Sequence, residues 1–226
     1  MELKVIARVK SNFPSKFGIP RQSGLIPSLK AYIIFEPEYR NEDALRGLAE
    51  FSHLWLIWGF SENERASWSP TIRPPRLGGN ERIGVFASRS SFRPNALALS
   101  CVKLESIEKE NINGTVLLIS GADMMNGTPI YDIKPYLPFT DCIPNATGGF
   151  TDTHDKPLLQ VVLPDKIAPS IASPIRKEIV DILAQDPRPA YQHDPERIYG
   201  FNYAGFEIKF RVTNDILTVL EITKLL

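Results

Sequence analysis

Two stretches of the chain concentrate side chains able to do chemistry on a charged substrate. Between Arg73 and Arg93 stand five arginines (Arg73, Arg76, Arg82, Arg89 and Arg93) against a single acid, Glu81. An arginine fork donates parallel hydrogen bonds to phosphate or carboxylate oxygens, so such a cluster suits a polyanion. Pro74, Pro75 and Pro94 stiffen the loops that carry it and reduce the entropy lost on binding. Phe86 and Phe92 lie among the arginines and offer faces for stacking bases, and Gly78-Gly79 lets the backbone approach a ligand closely. The plainer alternative is a solvated or salt-bridged loop.

The second stretch is Gly121 to Asp141 (GADMMNGTPIYDIKPYLPFTD). Asn126-Gly127 supplies a tight turn, with the hydroxyl of Thr128 free beside it. Asp123, Asp132 and Asp141 bracket that turn. A carboxylate here could face a sulfonium cation or accept a proton from an amine. Each could equally cap a turn or pair with an arginine. His53, His154 and His193 show no ligand spacing and adjoin no nucleophile motif, so none is assigned a role and no metal is expected. No G-x-G-x-x-G follows a strand, and there is neither a Walker loop nor a G-x-S-x-G elbow.

Short elements must position these residues. The 226-residue chain is 43% apolar and 23% charged, ordinary for a soluble globular protein, and its formal charge is zero. Positive charge is therefore local and not a global field. Nineteen prolines and fourteen glycines cut the chain into pieces, which favours many short strands over long helices. The longest apolar run, Phe51 to Phe60, is far shorter than the roughly 20 residues of a membrane span. The opening MELKVIARVK lacks the apolar core of a signal peptide. Cys101 and Cys142 have no metal-type spacing and read as reduced thiols, which places the protein in the cytoplasm.

Alternation predicts strands at Leu3–Val9, Ala31–Phe35, Leu54–Phe60, Ile83–Ala87, Leu97–Leu104, Gly114–Ile119 and Pro129–Ile133. Asn41 is read as capping a helix through Phe51, and Ser11 to Pro27 as a long polar loop carrying PRQSG. The polar segment Asn145–Pro157 marks a boundary between a domain at 1–150 and a smaller unit at 151–226. In that unit Ser173-Pro174 opens a helix with Ile175, Ile179, Ile182 and Leu183 on its apolar stripe. Strands at Phe206–Val212 and Ile216–Ile222 follow a stop at Asp186-Pro187. The fold class expected is mainly β, a barrel or sandwich followed by a smaller α+β domain.

The motifs PRQSG, FSHLWL, RPPRLGGNERIGVFASRSSFRPN and NGTPIYDIKPYLPF resemble those of the TrmO (YaeB- or TsaA-like) family. LAQDPRPAY and the closing strands resemble the C-terminal domain of its bacterial members, so the likeness runs over nearly the whole chain. It implies a small β-barrel methyltransferase outside the Rossmann and knotted classes, homodimeric and dependent on S-adenosyl-L-methionine. The implied substrate is tRNA bearing N6-threonylcarbamoyladenosine at position 37, in the anticodon loop. The implied product carries a methyl on that nitrogen.

Carried onto this sequence, the family's cofactor contacts fall on Ser23, Gly24 and Leu25, on Ser61 and Glu62, on Arg89 and Leu99, and on Asn126, Gly127, Thr128 and Pro129. The chain departs from the usual motif at Asn126, where an aspartate is common, and any role needing a carboxylate there is in doubt. Asp123, Asp132 and Asp141 are the candidates to accept the N6 proton. Arg73, Arg76, Arg82 and Arg93 are assigned to the tRNA backbone. Arg188 and Tyr191 are assigned to a C-terminal RNA clamp or dimer support, separable from cofactor binding. The competing reading is a non-catalytic β-barrel binding RNA or a metabolite.

Overall fold

The computed structural model describes residues 2–225 except 63–67, 155–156, 168, 170, 190–191 and 193. The N-terminal strands are β1 (Ala7–Lys10), β2 (Lys30–Phe35), β3 (His53–Gly59), β4 (Thr71–Ile72), β5 (Ile83–Gly84), β6 (Leu97–Glu110), β7 (Gly114–Ser120) and β8 (Pro129–Pro135). Short helices α1 (Pro138–Asp141) and α2 (Phe150–Thr153) lead to β9 (Gln160–Val162), α3 (Ser173–Ala184), β10 (Tyr199–Tyr203), β11 (Phe206–Thr213) and β12 (Ile216–Lys224).

Six strands pair in a ring, β1-β2-β7-β6-β3-β8, and β8 returns antiparallel to β1. The ring is a closed barrel, so these strands leave no unpaired edge between them. Side chains alternate across the strands, so every second residue enters the barrel. Leu54, Leu56 and Trp58 of β3 meet Val102 and Leu104 of β6, Leu117 and Ile119 of β7, and Ile130 of β8 in one core. A bulge where β3 pairs β8, between Ile57 and Trp58, skips Tyr131. That tyrosine lies against Gly59, where a Cβ would sit 2.7 Å from its hydroxyl oxygen.

The helix expected over 41–51 is instead two 3-10 turns, Glu42–Leu45 and Leu48–Glu50. Asn41 does cap the first, accepting from the Asp43 amide. Gly47 then takes a left-handed φ of 82° and breaks the run, letting Leu45 and Leu48 both pack on the barrel. The strand expected at 83–87 ends at Gly84 and becomes a 3-10 turn. The first ladder starts at Ala7 and not at Leu3.

A second sheet, β10-β11-β12-β9, is antiparallel except where β9 joins β12 in parallel. Helix α3 covers it through Ile179, Ile182 and Leu183, the stripe expected from sequence. Its first residue is Ser173 and its cap is Ala172, with Pro174 in the first turn. The core of this sheet also takes in Phe13, Ile26 and Leu29 from the long loop between β1 and β2. Phe13 packs at a tilt against Tyr203, 4.8 Å between centroids, and the Ala204 amide donates to the Asn12 carbonyl at 3.0 Å. No helix among the described residues is long and apolar enough to cross a membrane.

Candidate active site

A cleft of about 630 Å³ opens at one end of the barrel, in the size range of a cofactor site. Three parts of the chain build it. The long first loop contributes Lys16, Ile19, Pro20, Arg21 and Gln22, and the run from Ile57 to Glu62 contributes the end of β3 and the turn beyond. The start of β6, from Leu97 to Ser100, forms the facing wall with Ser88, Arg89 and Arg93. Asp123, Met125 and Thr128 close it from the segment after β7.

Asp123 is the best-organised polar group in the cleft. The buried Ser100 hydroxyl donates to its carboxylate at 2.7 Å and accepts from the Trp58 indole N–H at 2.9 Å. Since Trp58 can only donate, the Ser100 proton is committed to Asp123 and the chain of bonds has one direction. Burial pushes the Asp123 carboxyl above the usual carboxylate range, against the opposing pull of Ser100, backbone hydrogen bonds and the charge of Arg89. A raised carboxyl in a cleft is suited to taking a proton near neutral pH.

The other two aspartates singled out from sequence are outside the cleft. Asp132 pairs with Lys134 at 2.9 Å and accepts from the Ile133 amide. Asp141 accepts from the Trp55 indole at 2.9 Å and from the Leu137 amide at 2.8 Å, which ties α1 to the barrel's outer face. The free hydroxyl expected at Thr128 is instead spent closing its own turn, donating to the Met125 carbonyl at 2.8 Å. His53 sits half-buried on the barrel exterior beside Ser52 and Tyr136. No group of three histidine, cysteine or acidic residues able to hold a metal exists among the described residues. Cys101 and Cys142 are free thiols, and burial pushes the Cys101 thiol up.

Of the residues implied for the cofactor, Ser61, Glu62, Arg89, Leu99 and Thr128 line the cleft. Arg89 is steered by Gln22, which accepts from its guanidinium at 2.6 Å. Ser23 and Gly24 sit just behind, with the Gly24 amide donating to the Gly121 carbonyl and the Ser23 backbone facing Asp123. Leu25 is half exposed and does not line the cleft. Asn126 and Gly127 serve the frame. Asn126 caps the Ser11 amide and Gly127 donates to the Val9 carbonyl at 2.7 Å, joining the turn to the continuation of β1. Pro129 starts β8 opposite Arg8. The sequence reading missed Lys16, Gln22, Trp58 and Ser100; the alternation in β3 and β6 that turns Trp58 and Ser100 inward was their available signal.

Beyond the cleft the arginine-rich segment folds through the two-stranded β4-β5 hairpin and short turns. Arg73 is exposed, Arg76 donates to the Thr151 carbonyl and Arg82 to the Thr71 hydroxyl. Arg93 is fixed by the Ser88 carbonyl at 2.9 Å and lies 6.0 Å from the centre of the Phe86 ring. Phe86, 73% exposed, pairs with Trp68 at 6.3 Å to make an aromatic surface among the cations. Phe92 is half-buried. This combination suits a nucleic-acid strand.

Arg188 has a different setting. Its guanidinium grips Asp186 with bonds of 2.8 and 3.2 Å, and both side chains are nearly buried, at 11% and 13% exposure. Asp186 itself sits at a left-handed φ of 50°, which the pairing helps to hold. Replacing Arg188 by Ala removes both of these charged hydrogen bonds from a nearly buried carboxylate, and the expected cost is about 1.5–3 kcal/mol. A lowered Tm checks this, whereas loss of tRNA affinity at unchanged Tm would return Arg188 to the RNA surface. Tyr191 lies outside the described residues.

Comparison with known proteins agrees with this architecture. Residues 8–142 match the family model of the tRNA-methyltransferase O N-terminal domain, and residues 160–225 match the TrmO C-terminal domain. The tRNA (adenine(37)-N6)-methyltransferase of Escherichia coli (strain K12) is 38% identical over 230 residues, covering 94% of each chain. The enzyme of the same name from Eikenella corrodens is 49% identical over 163 residues, 72% of this chain and 91% of that one. A crystal structure of TrmO from Pseudomonas aeruginosa superposes with a TM-score of 0.78 at 29% identity, covering 99% of this chain and 98% of the other. With both domains matched in order along its length, the chain belongs to the TrmO family of tRNA methyltransferases.

Proposed function

We propose that this protein transfers a methyl group from S-adenosyl-L-methionine to N6 of adenosine 37 in tRNA, and that the adenosine it accepts already carries a threonylcarbamoyl group on that nitrogen. The observation that carries the reading is the Trp58–Ser100–Asp123 chain of hydrogen bonds in the wall of a cofactor-sized cleft, beside a surface of arginines and exposed aromatics. The cofactor supplies an already activated methyl on a sulfonium, so no metal is needed. The lining fits it: Leu97, Leu99 and Met125 offer apolar contact, Glu62 an acceptor and Arg89 a partner for a carboxylate.

An N6 acylated by a carbamoyl group is a poor nucleophile while it keeps its proton. Asp123 would take that proton as the methyl's bond to N6 forms and its bond to sulfur breaks, the electron pair leaving on sulfur as a neutral thioether, and the cleft would hold donor and acceptor in line. Arg73, Arg76 and Arg82 meet the anticodon-loop backbone, Phe86 and Trp68 stack a neighbouring base, and Arg93 braces Phe86. The same reading makes the protein a cytoplasmic homodimer.

The test is to incubate the protein with S-adenosyl-L-methionine and threonylcarbamoylated tRNA, digest to nucleosides and weigh them. One added methyl on threonylcarbamoyladenosine is the expected result. Methylation of unmodified adenosine instead would change the substrate. Cofactor binding without methylation of either would require another acceptor, and absence of cofactor binding would leave a binding module.

A further inference from the structure

Positive charge around the cleft exceeds what the cofactor can use. Lys16, Arg21, Arg89 and Arg93 line it against Glu62 and Asp123. S-adenosyl-L-methionine brings a sulfonium, an ammonium and one carboxylate, so its arrival adds to the excess. Like charges in a partly desolvated cleft repel strongly unless an anion completes the set.

Two of these cations have evident duties: Arg89 is held by Gln22 next to Asp123, and Arg93 is fixed to the Ser88 carbonyl. Arg21 is differently placed. It adjoins Gln22 in sequence and lines the same wall, while the charges acting on its guanidinium are those of Asp186 and Arg76. Asp186 already receives the two-pronged grip of Arg188. Arg21 therefore meets, at its end of the cleft, the charge of a carboxylate already bonded to Arg188. Arg21 keeps an exposed side, but partial desolvation against the cleft wall, and after it the charge of Arg76, disfavours the charge on its guanidinium, with Asp186 opposing them. A cation in that position gains from an incoming anion.

We infer that Arg21 receives the carboxylate of the substituent on the acceptor adenosine, and so makes the enzyme selective for a carboxylate-bearing base. The inference rests on the proposed acceptor: a threonylcarbamoyl group ends in a carboxylate a few covalent bonds from N6, and an unmodified adenosine has none. Asp123 and Arg21 line one cleft, so a single bound nucleotide meets both. The guanidinium geometry would also accept a phosphate of the tRNA backbone, and the experiment separates the two sources.

Compare kcat/KM for threonylcarbamoylated tRNA and for the same tRNA with that carboxylate converted to its methylamide. The wild-type protein should prefer the acid by about ten- to hundredfold, the span of a charged hydrogen bond. Arg21→Gln should narrow this preference to within about threefold, and Arg21→Lys should keep part of it. Calorimetric cofactor binding on the same variants reports an intact pocket. A wild-type protein indifferent to the amide overturns the inference without any variant. Equal losses on both tRNAs in Arg21→Gln assign Arg21 to a phosphate and overturn it too. Failure of the wild-type protein to methylate either tRNA removes the proposed acceptor itself, a distinct result.

Discussion

Replacing Asp123 by Asn should lower the single-turnover rate of methylation by about 10²–10⁴-fold, the range for loss of a positioned general base. Asn keeps the shape and can still accept from the Ser100 hydroxyl, so the bonds to Ser100 and Trp58 survive while the proton acceptor is lost. The pH dependence gives the sharper test. Burial holds this carboxyl above the usual range, so the wild-type rate should fall as pH drops through that raised value, and the Asn variant should lack that limb. The stability effect has the opposite sense. A carboxyl whose folded value is raised contributes stability that is complete below its unfolded value and lost as pH rises through the folded one. At neutral pH the wild-type protein therefore carries a disfavoured buried charge that the variant lacks. The variant should melt no lower than wild type there, and any advantage should vanish in acid. A rate within a few-fold of wild type would remove Asp123 as the base.

Asp132 and Asp141 supply the contrast. The first is paired with Lys134 on a partly exposed surface, so its Asn variant should turn over within a few-fold of wild type. The second ties Trp55 and the Leu137 amide together, so its loss acts on the attachment of α1.

What could be read from sequence was whatever is periodic or compositional. The strands that fill the barrel alternate cleanly, and the α3 stripe at Ile175, Ile179, Ile182 and Leu183 is packed as its spacing requires. The arginine cluster was visible because five cations in twenty-one positions of a neutral chain are conspicuous. Partner choice was not visible. Asp123, Asp132 and Asp141 differ in nothing local; only the ring closure that sets Ser100 opposite Leu56 and beside Trp58 singles out the first. Arg188 looked like a surface cation because its partner Asp186 reads as a helix stop. The apparent helix at 41–51 failed through one glycine, Gly47, whose left-handed backbone outweighs the one-sided placing of Ala44, Leu45, Leu48 and Ala49.

The two units share a loop, and that sharing leads to a test of how far they depend on each other. The loop that provides Lys16, Ile19, Pro20, Arg21 and Gln22 to the cleft is anchored outside the barrel. Phe13, Ile26 and Leu29, each no more than 3% exposed, are embedded in the core of the second sheet. Between them Gly18, at a φ of 93°, passes so close to Phe201 that a Cβ would sit 2.7 Å from the ring. Ser28 donates to Asp181 on α3 at 3.0 Å. The C-terminal unit thus holds the loop that forms one wall of the cleft, and we expect cofactor binding to depend on it, against the separability expected from sequence. Phe13→Ala, which opens a cavity beside Tyr203 at a side chain that does not line the cleft, should cost about 3–5 kcal/mol. It should also weaken cofactor affinity by about tenfold or more, because each loop residue set free must be reordered on binding at about 1–2 kcal/mol. Leu117→Ala in the barrel core is the matched control, since it lowers stability by a similar cavity cost without touching the loop's anchor. Calorimetry well below both melting temperatures separates the two effects. If affinity in Phe13→Ala stays at the Leu117→Ala level, the loop orders itself on the barrel and the C-terminal unit does no more than bind RNA. If affinity falls only in Phe13→Ala, the second sheet is part of the cofactor site although none of its strands reaches the cleft.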